Sequence, residues 1–236
     1  MKDTNAEIYS NGEYLDSNSN WHTEDSYYKF KVLKDNINKH DVQFSKCLDV
    51  GCGAGLITEY LAEHYMDKKF IGIDVSKDVT NFWNSRRHLQ NLKLINEKID
   101  VINEEFDLVT CIDVFEHVED YYLFLRNINK FGNTFIFNIP LDMNVLKLIT
   151  PGLRYARESV GHLHYFNTYT ARKTLEDCGF EIVAEDLHAS FLKIFPRNIR
   201  QLLILPFRVM ALILGKSVSA TLFGGFSLLI IAKRSS

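Results

Sequence analysis

Short apolar runs alternate with stretches of helical periodicity along most of this chain. Cys47-Leu48-Asp49-Val50, Phe70-Ile71-Gly72-Ile73-Asp74-Val75 and residues 92–99 around Leu94 and Ile95 suit buried strands. Phe106-Asp107-Leu108-Val109-Thr110-Cys111-Ile112 and Thr134-Phe135-Ile136-Phe137-Asn138-Ile139-Pro140 do the same. Between them, Leu56, Ile57, Tyr60, Leu61 and Tyr65 recur at helical spacing, and helices are predicted over 55–66, 77–91 and 120–131. A leading helix, capped by Asp25 or Ser26, is predicted to run to about Asn38. Later come a helix from Thr168 to Gly179, a sixth strand at 180–183 and a seventh at 226–232. This order predicts an α/β fold with a doubly wound parallel sheet.

The first strand runs directly into Gly51-Cys52-Gly53-Ala54-Gly55, a bend bare enough for a ligand to approach the backbone. A dinucleotide fingerprint would need its third glycine at Leu56, and no Gly-Lys-Ser/Thr of a phosphate loop follows the bend. Asp49 would repel a diphosphate but suits a ligand carrying an ammonium and a sulfonium. Asp74, 23 residues beyond Gly51, stands near the spacing at which an acid holds both ribose hydroxyls of an adenosine. Ligands of such sheets bind beyond the strand carboxyl ends, where Gly51–Gly55, Asp74, Ile112–His117 and Asn138–Pro140 converge. Lys98, Ile99 and Asp100 are equal candidates for contacting an adenine. Lys29 on the leading helix is either a ligand for a carboxylate in the cleft or a solvated helix lysine.

Composition adds two points. The 236 residues are 46% hydrophobic, enough for one core, and a net charge of -3 gives no bulk basicity for nucleic acid. That charge is uneven, because no acid follows Asp186 while seven basic residues do. The four cysteines form no C-x-x-C pair, and the first residues have no apolar core, which points to a reduced, cytoplasmic protein without a signal peptide. Residues 141–167 are long enough for a lid. An insert at about 191–225 is apolar, with Arg197, Arg200, Arg208 and Lys216 as the charges of its 197–216 stretch. It reads either as a cap or self-association face, which would make a homodimer, or as a segment at an anionic membrane surface. Its charge-free run 217–232 is expected to be loop and then strand.

The glycine bend with Asp49, the strand-end Asp74, Asp113-Val114-Phe115-Glu116-His117-Val118 and Gly161-His162-Leu163-His164-Tyr165-Phe166 together resemble class I S-adenosylmethionine-dependent methyltransferases. The Glu116-His117-Val118 form is similar to the ubiquinone-biosynthesis O-methyltransferase-like branch. The resemblance implies a Rossmann-like sheet of seven strands with the last antiparallel, S-adenosyl-L-methionine as cofactor, and one domain over 1–236. That domain divides into a lid helix to 45, a cofactor core at 46–140, a substrate side at 141–190, the insert and the last strand. It further implies that Gly51, Gly53 and Gly55 meet the methionine half, Asp49 its ammonium, Asp74 the ribose, Lys29 its carboxylate, and the backbone at Ile112 and Asp113 the remainder. In that branch an acid, a Glu and a His after strand four are linked to a divalent metal. Asp113, Glu116 and His117 fit, but the spacing equally fits a helix start, and no metal is assigned.

Methyl transfer to oxygen needs a base, and His117, then His162 or His164, are the candidates, with His22 behind them. Asn138-Ile139-Pro140 lacks the second proline of an amino-methyltransferase Asn-Pro-Pro. The expected acceptor is therefore a hydroxyl of a small-molecule, quinone-like or lipid-linked substrate. A non-catalytic cofactor-binding partner and a nicotinamide-dependent reductase are the rival readings.

Overall fold

The computed structural model describes residues 23–84, 88–189, 191 and 199–235. His22, Lys193 and Arg197 lie outside the described residues, as do residues 1–20. The strands are β1 (Lys46–Val50), β2 (Lys69–Asp74), β3 (Leu92–Asn96), β4 (Phe106–Ile112), β5 (Gly132–Pro140), β6 (Phe180–Ala189) and β7 (Phe226–Arg234). The helices are α1 (Thr23–Lys39), α2 (Leu56–His64), α3 (Thr80–Trp83), α4 (Tyr121–Ile128), α5 (Val145–Ile149), α6 (Gly152–Tyr155), α7 (Thr168–Asp177), α8 (Ile199–Leu212) and α9 (Lys216–Phe223).

One sheet runs β3-β2-β1-β4-β5-β7-β6. The first five strands are parallel, and β7 runs antiparallel between β5 and β6, as expected. Successive residues of a strand face opposite sides, so one strand feeds two layers. Leu48, Val50, Val109, Phe135, Phe137 and Phe180 pack on one side with Leu125 of α4 and Leu175 of α7. Cys47, Phe70, Leu108, Ile136 and Ile231 pack on the other with Leu33 of α1 and Leu61 of α2. Reversal of the crossover direction between β1 and β4 opens the crevice at the carboxyl edge.

Three expectations are corrected. The helix predicted over 77–91 shortens to a tight turn, Lys77–Val79, and α3. Beyond Trp83 the described chain has only Leu89 to bury, and Asn91 ties the approach to β3 by donating to the carbonyls of Ala62 and Lys68. The sixth strand extends to Ala189, because its partner β7 is apolar from Leu228 to Ala232 while β6 is a polar edge whose period is shifted near Ile182 and Ala184. Residues 216–223, expected as a loop, form α9, which Gly224 and Gly225 end with φ of 62° and 83°. Within the predicted lid, α5 and α6 form, and Asn167 starts α7 with a reciprocal cap to Thr170.

Phe137 is fully buried, with its ring centroid 5.0 Å from that of Phe180 and 6.4 Å from that of Phe115. Phe137→Ala is expected to cost about 3–5 kcal/mol in denaturant unfolding. A loss below about 1 kcal/mol would contradict tight packing under the crevice floor.

Candidate functional site

The crevice is a cavity of about 850 Å³, a size suited to a cofactor and part of a second molecule. Its first end is built by the glycine bend. Gly51 has φ +71°, and a Cβ there would come within 2.6 Å of Val114, so both conformation and space require glycine. The amide of Gly53 donates to Asp74 Oδ2 at 2.8 Å, and that of Ser76 donates to Asp74 Oδ1 at 2.9 Å. Trp83 donates its indole N–H to the Gly53 carbonyl at 3.0 Å. The bend is thus fixed to the tip of β2 before any ligand arrives. Gly51, Gly53, Asp49, Asp74, Ile112, Asp113 and Lys29 all line the cavity, as do all of Lys98, Ile99 and Asp100. Gly55 is not among the lining residues; it has φ +77° at the start of α2 and sits beside Leu94.

Asp49 is buried and accepts hydroxyl hydrogen bonds from Thr58 and from Thr110, the latter at 2.7 Å. Burial outweighs those bonds and pushes its carboxyl up to about 6. Burial also raises Asp74, against the opposing backbone amides. Among the described residues neither carboxylate has a cationic partner, and both face one end of the cavity.

The other end is compensated internally. Asp113 adopts φ +55°, and its backbone N–H donates to the Asn138 carbonyl at 2.9 Å. Its carboxylate meets Lys29 Nζ at 2.7 Å and accepts from Asn138 Nδ2 at 2.6 Å. Burial alone would raise this acid, but Lys29 and Asn138 hold it below the usual carboxylate range. The Asn138 amide oxygen faces His188 Nε2 at 2.7 Å, so Nε2 carries the proton and Nδ1 accepts from the Tyr28 hydroxyl at 3.0 Å. Burial lowers His188 to about 4, which keeps the ring neutral near neutral pH. Sequence reading missed His188 because the predicted strand stopped short of it, and Tyr28 was one apolar-face residue among several.

His117 and His162 also line the cavity, with ring centroids 4.8 Å apart. His117 donates from Nδ1 to the Gly161 carbonyl at 3.1 Å. His162 is hydrogen-bonded through Nδ1 to Asp142, which also pairs with Lys147. Burial opposes ionisation of Asp142, yet those two partners bring it down to about 2. His164 is elsewhere: its Nε2 donates to the carbonyls of Val118 at 2.9 Å and Glu119 at 3.2 Å, and its ring lies 4.4 Å from that of Tyr121.

Glu116 is fully buried with neither carboxylate oxygen hydrogen-bonded, and burial followed by the Asp113 charge pushes it well up. Ligand atoms of Glu116, His117 and His162 lie within 4.8 Å of one another. This donor set fits a divalent cation, with His162 where the sequence pattern had Asp113.

The sequence profile of a methyltransferase domain matches residues 22–185. The chain belongs to this methyltransferase family. It is 30% identical over 184 residues to phosphoethanolamine N-methyltransferase 1 of Triticum aestivum, covering 72% of this chain and 35% of that protein. It is 27% identical over 146 residues to the mitochondrial ubiquinone biosynthesis O-methyltransferase of Saccharomyces cerevisiae, covering 51% and 46%. The match thus spans less than half the length of each of these two relatives. The fold is similar to that of magnesium protoporphyrin IX methyltransferase from Synechocystis with bound S-adenosylhomocysteine, with TM-score 0.56, 16% identity and coverage of 89% and 83%. S-adenosyl-L-methionine is the cofactor of the class to which this methyltransferase belongs. Leu56 and Asp49 already disfavoured a nicotinamide reductase, and family membership removes it.

A cationic ligand selects ionised Asp49, so affinity for S-adenosylhomocysteine is expected to rise with pH up to about 6 and then level off. Below that point calorimetry should lose up to about tenfold per pH unit, and Asp49→Asn should flatten the profile. A wild-type profile already flat from about pH 5 to about pH 7.5 would contradict this role. Asp74→Ala should weaken the same binding by about 1–3 kcal/mol, and unchanged binding would refute a ribose contact.

Proposed function

We propose that this methyltransferase moves the methyl group of S-adenosylmethionine to a hydroxyl of a small molecule, with His162 as general base. The supporting observation is the buried Asp142–His162 pair, whose histidine lines the cavity. A low-lying carboxylate on Nδ1 fixes the tautomer and leaves Nε2 as the basic nitrogen. Asp142 also steadies the imidazolium that forms when the acceptor proton is taken. His117, against which His162 is packed edge to face, orients that ring. His164 is a poor candidate, since its Nε2 proton is used in joining two loops.

In this reading Asp49 receives the cofactor's ammonium, and Asp74 takes the ribose hydroxyls. The bare backbone of Gly51 and Gly53, with that of Ile112 and Asp113, lies along the methionine half. Lys29 is shared between Asp113 and the cofactor carboxylate. In-line displacement at the sulfonium methyl then requires mainly positioning and exclusion of water. Glu116, His117 and His162 would also hold a divalent ion, which would supply Lewis-acid polarisation of the acceptor oxygen in place of proton abstraction by His162, because its one free ring nitrogen cannot do both.

The acceptor half favours an uncharged hydroxyl over a phosphorylated amine. Lys29, the cation among its described lining residues, is committed to Asp113. Among the described lining residues of that half, no second lysine or arginine would meet a phosphate.

His162→Ala and Asp142→Asn are expected to lower kcat by about 10²–10⁴-fold while S-adenosylhomocysteine affinity stays within about twofold of wild type. The measurement is methyl transfer from labelled cofactor to a panel of phenols and lipid-linked glycans. Retention of kcat within about threefold in His162→Ala would remove His162 from the base role.

A further inference from the structure

The insert between β6 and β7 presents a surface that the methyl-transfer reading does not use. Along α8 and the turn after it, Ile199, Leu202, Leu203, Phe207, Met210 and Ile213 are 52–85% exposed. Their spacing follows one helix face, so the exposed stripe is apolar from end to end. The opposite face is packed: Ala211 is buried, and the Ser219 hydroxyl donates to the Arg208 carbonyl at 3.1 Å. Arg208, the charge in the middle of the helix, turns inward, donating from Nε and Nη2 to the Phe223 carbonyl at 3.2 and 3.1 Å and lying over Phe191. The stripe is thereby cleared of the charge that would have interrupted it. On the neighbouring α5, which packs on α9, Leu148 and Ile149 are exposed too.

A surface of this kind is uncommon on a monomer unless it meets something. Charge selects the occupant. From residue 187 onward the sequence has seven basic residues and no acid, and Lys216, at the start of α9, is more than half exposed and 3.9 Å from its partner Asp186 on β6. A second copy docked through the same face about a two-fold axis would bring basic residues against basic residues. An anionic lipid surface complements them, while the apolar stripe enters the headgroup boundary. At 14 residues, α8 is too short to span a bilayer, and among the described residues no helix is long and apolar enough to do so.

We propose that the exposed face of α8 seats this protein on an anionic membrane surface. Seated so, the acceptor end of the cavity lies close to the lipid. Gly224, at the end of α9, packs against Asn144, whose amide donates to the Asp142 carbonyl at 3.2 Å, and Asp142 holds His162. The proposal stands whether or not a hydroxyl is the methyl acceptor, because docking needs neither cofactor nor turnover.

The test is flotation of the full chain with phosphatidylcholine vesicles, with and without phosphatidylglycerol, at low and high salt. Binding to the anionic vesicles should be about tenfold tighter or more, and should weaken with salt. The double variant Phe207→Glu with Met210→Glu should lose about tenfold or more of that binding while S-adenosylhomocysteine calorimetry is unchanged. If the double variant loses cofactor binding, Ile213→Ser, beyond the helix end, reads the same face. No vesicle binding, equal recovery on neutral and anionic vesicles, or unaltered binding of the folded variants would overturn the proposal. So would a sedimentation dimer that the double variant dissolves, which would assign the face to self-association.

Discussion

At the tips of β1, β2 and β4, Asp49, Asp74 and Asp113 are withheld from much of their solvent, and each has to be compensated locally. The manner differs. Asp49 receives two hydroxyls and Asp74 backbone amides, which satisfy lone pairs but cancel no charge. Asp113 receives an ammonium. Desolvating an ionised carboxylate costs several kcal/mol, and dipoles offset only part of that. One end of the cavity therefore holds unbalanced negative potential that a cation relieves, whereas the other is nearly neutral. These three compensations give the crevice one end that suits a cationic ligand and another whose charges are already paired.

The same constraint explains how α1 is held. Lys29 reaches Asp113, Tyr28 reaches His188 and Asn36 reaches Asp186, so the helix crosses the crevice on polar contacts to the tip of β4 and to β6. Its apolar side, with Phe30, Leu33 and Ile37, is buried on the layer below. Hydrophobic burial sets where the helix lies, and the polar contacts set its rotation.

Much of the fold was legible because buried parallel strands are nearly continuous apolar runs and need long crossovers. The glycine bend, Asp49 and Asp74 were legible because a bare turn between acids has few other uses. What escaped depended on contacts far apart in sequence. His188 is bonded to Tyr28, 160 positions away, and Asn138, 50 away, and neither link leaves a local pattern. Asp142 was visible only as one residue of a long connection until its bond to His162 was known. The half of β6 that carries His188 was hidden by polar residues on an edge strand. Gly55, read as part of the ligand seat, instead turns the chain into α2. The fate of 217–225 hinged on tertiary packing of Ser219 and Ala220, which are buried under α8.

The insertion of β7 between β5 and β6 has a consequence for how the molecule is made. A ribosome delivers β1 to β5 in an order that lets each parallel strand find its neighbour as it emerges. β6 follows, but its hydrogen-bonding partner does not yet exist, since β6 pairs only with β7 in the finished sheet. During synthesis the glycine-bend end of the crevice can therefore assemble while β5 still shows a bare edge, and the strand that carries His188 has side-chain anchors but no backbone partner. The acceptor wall is completed only when Phe226–Arg234 threads into the gap. A nascent chain halted before that point would hold the seat for the donor without the wall opposite it, and its open strand edge is the feature a chaperone would have to shield.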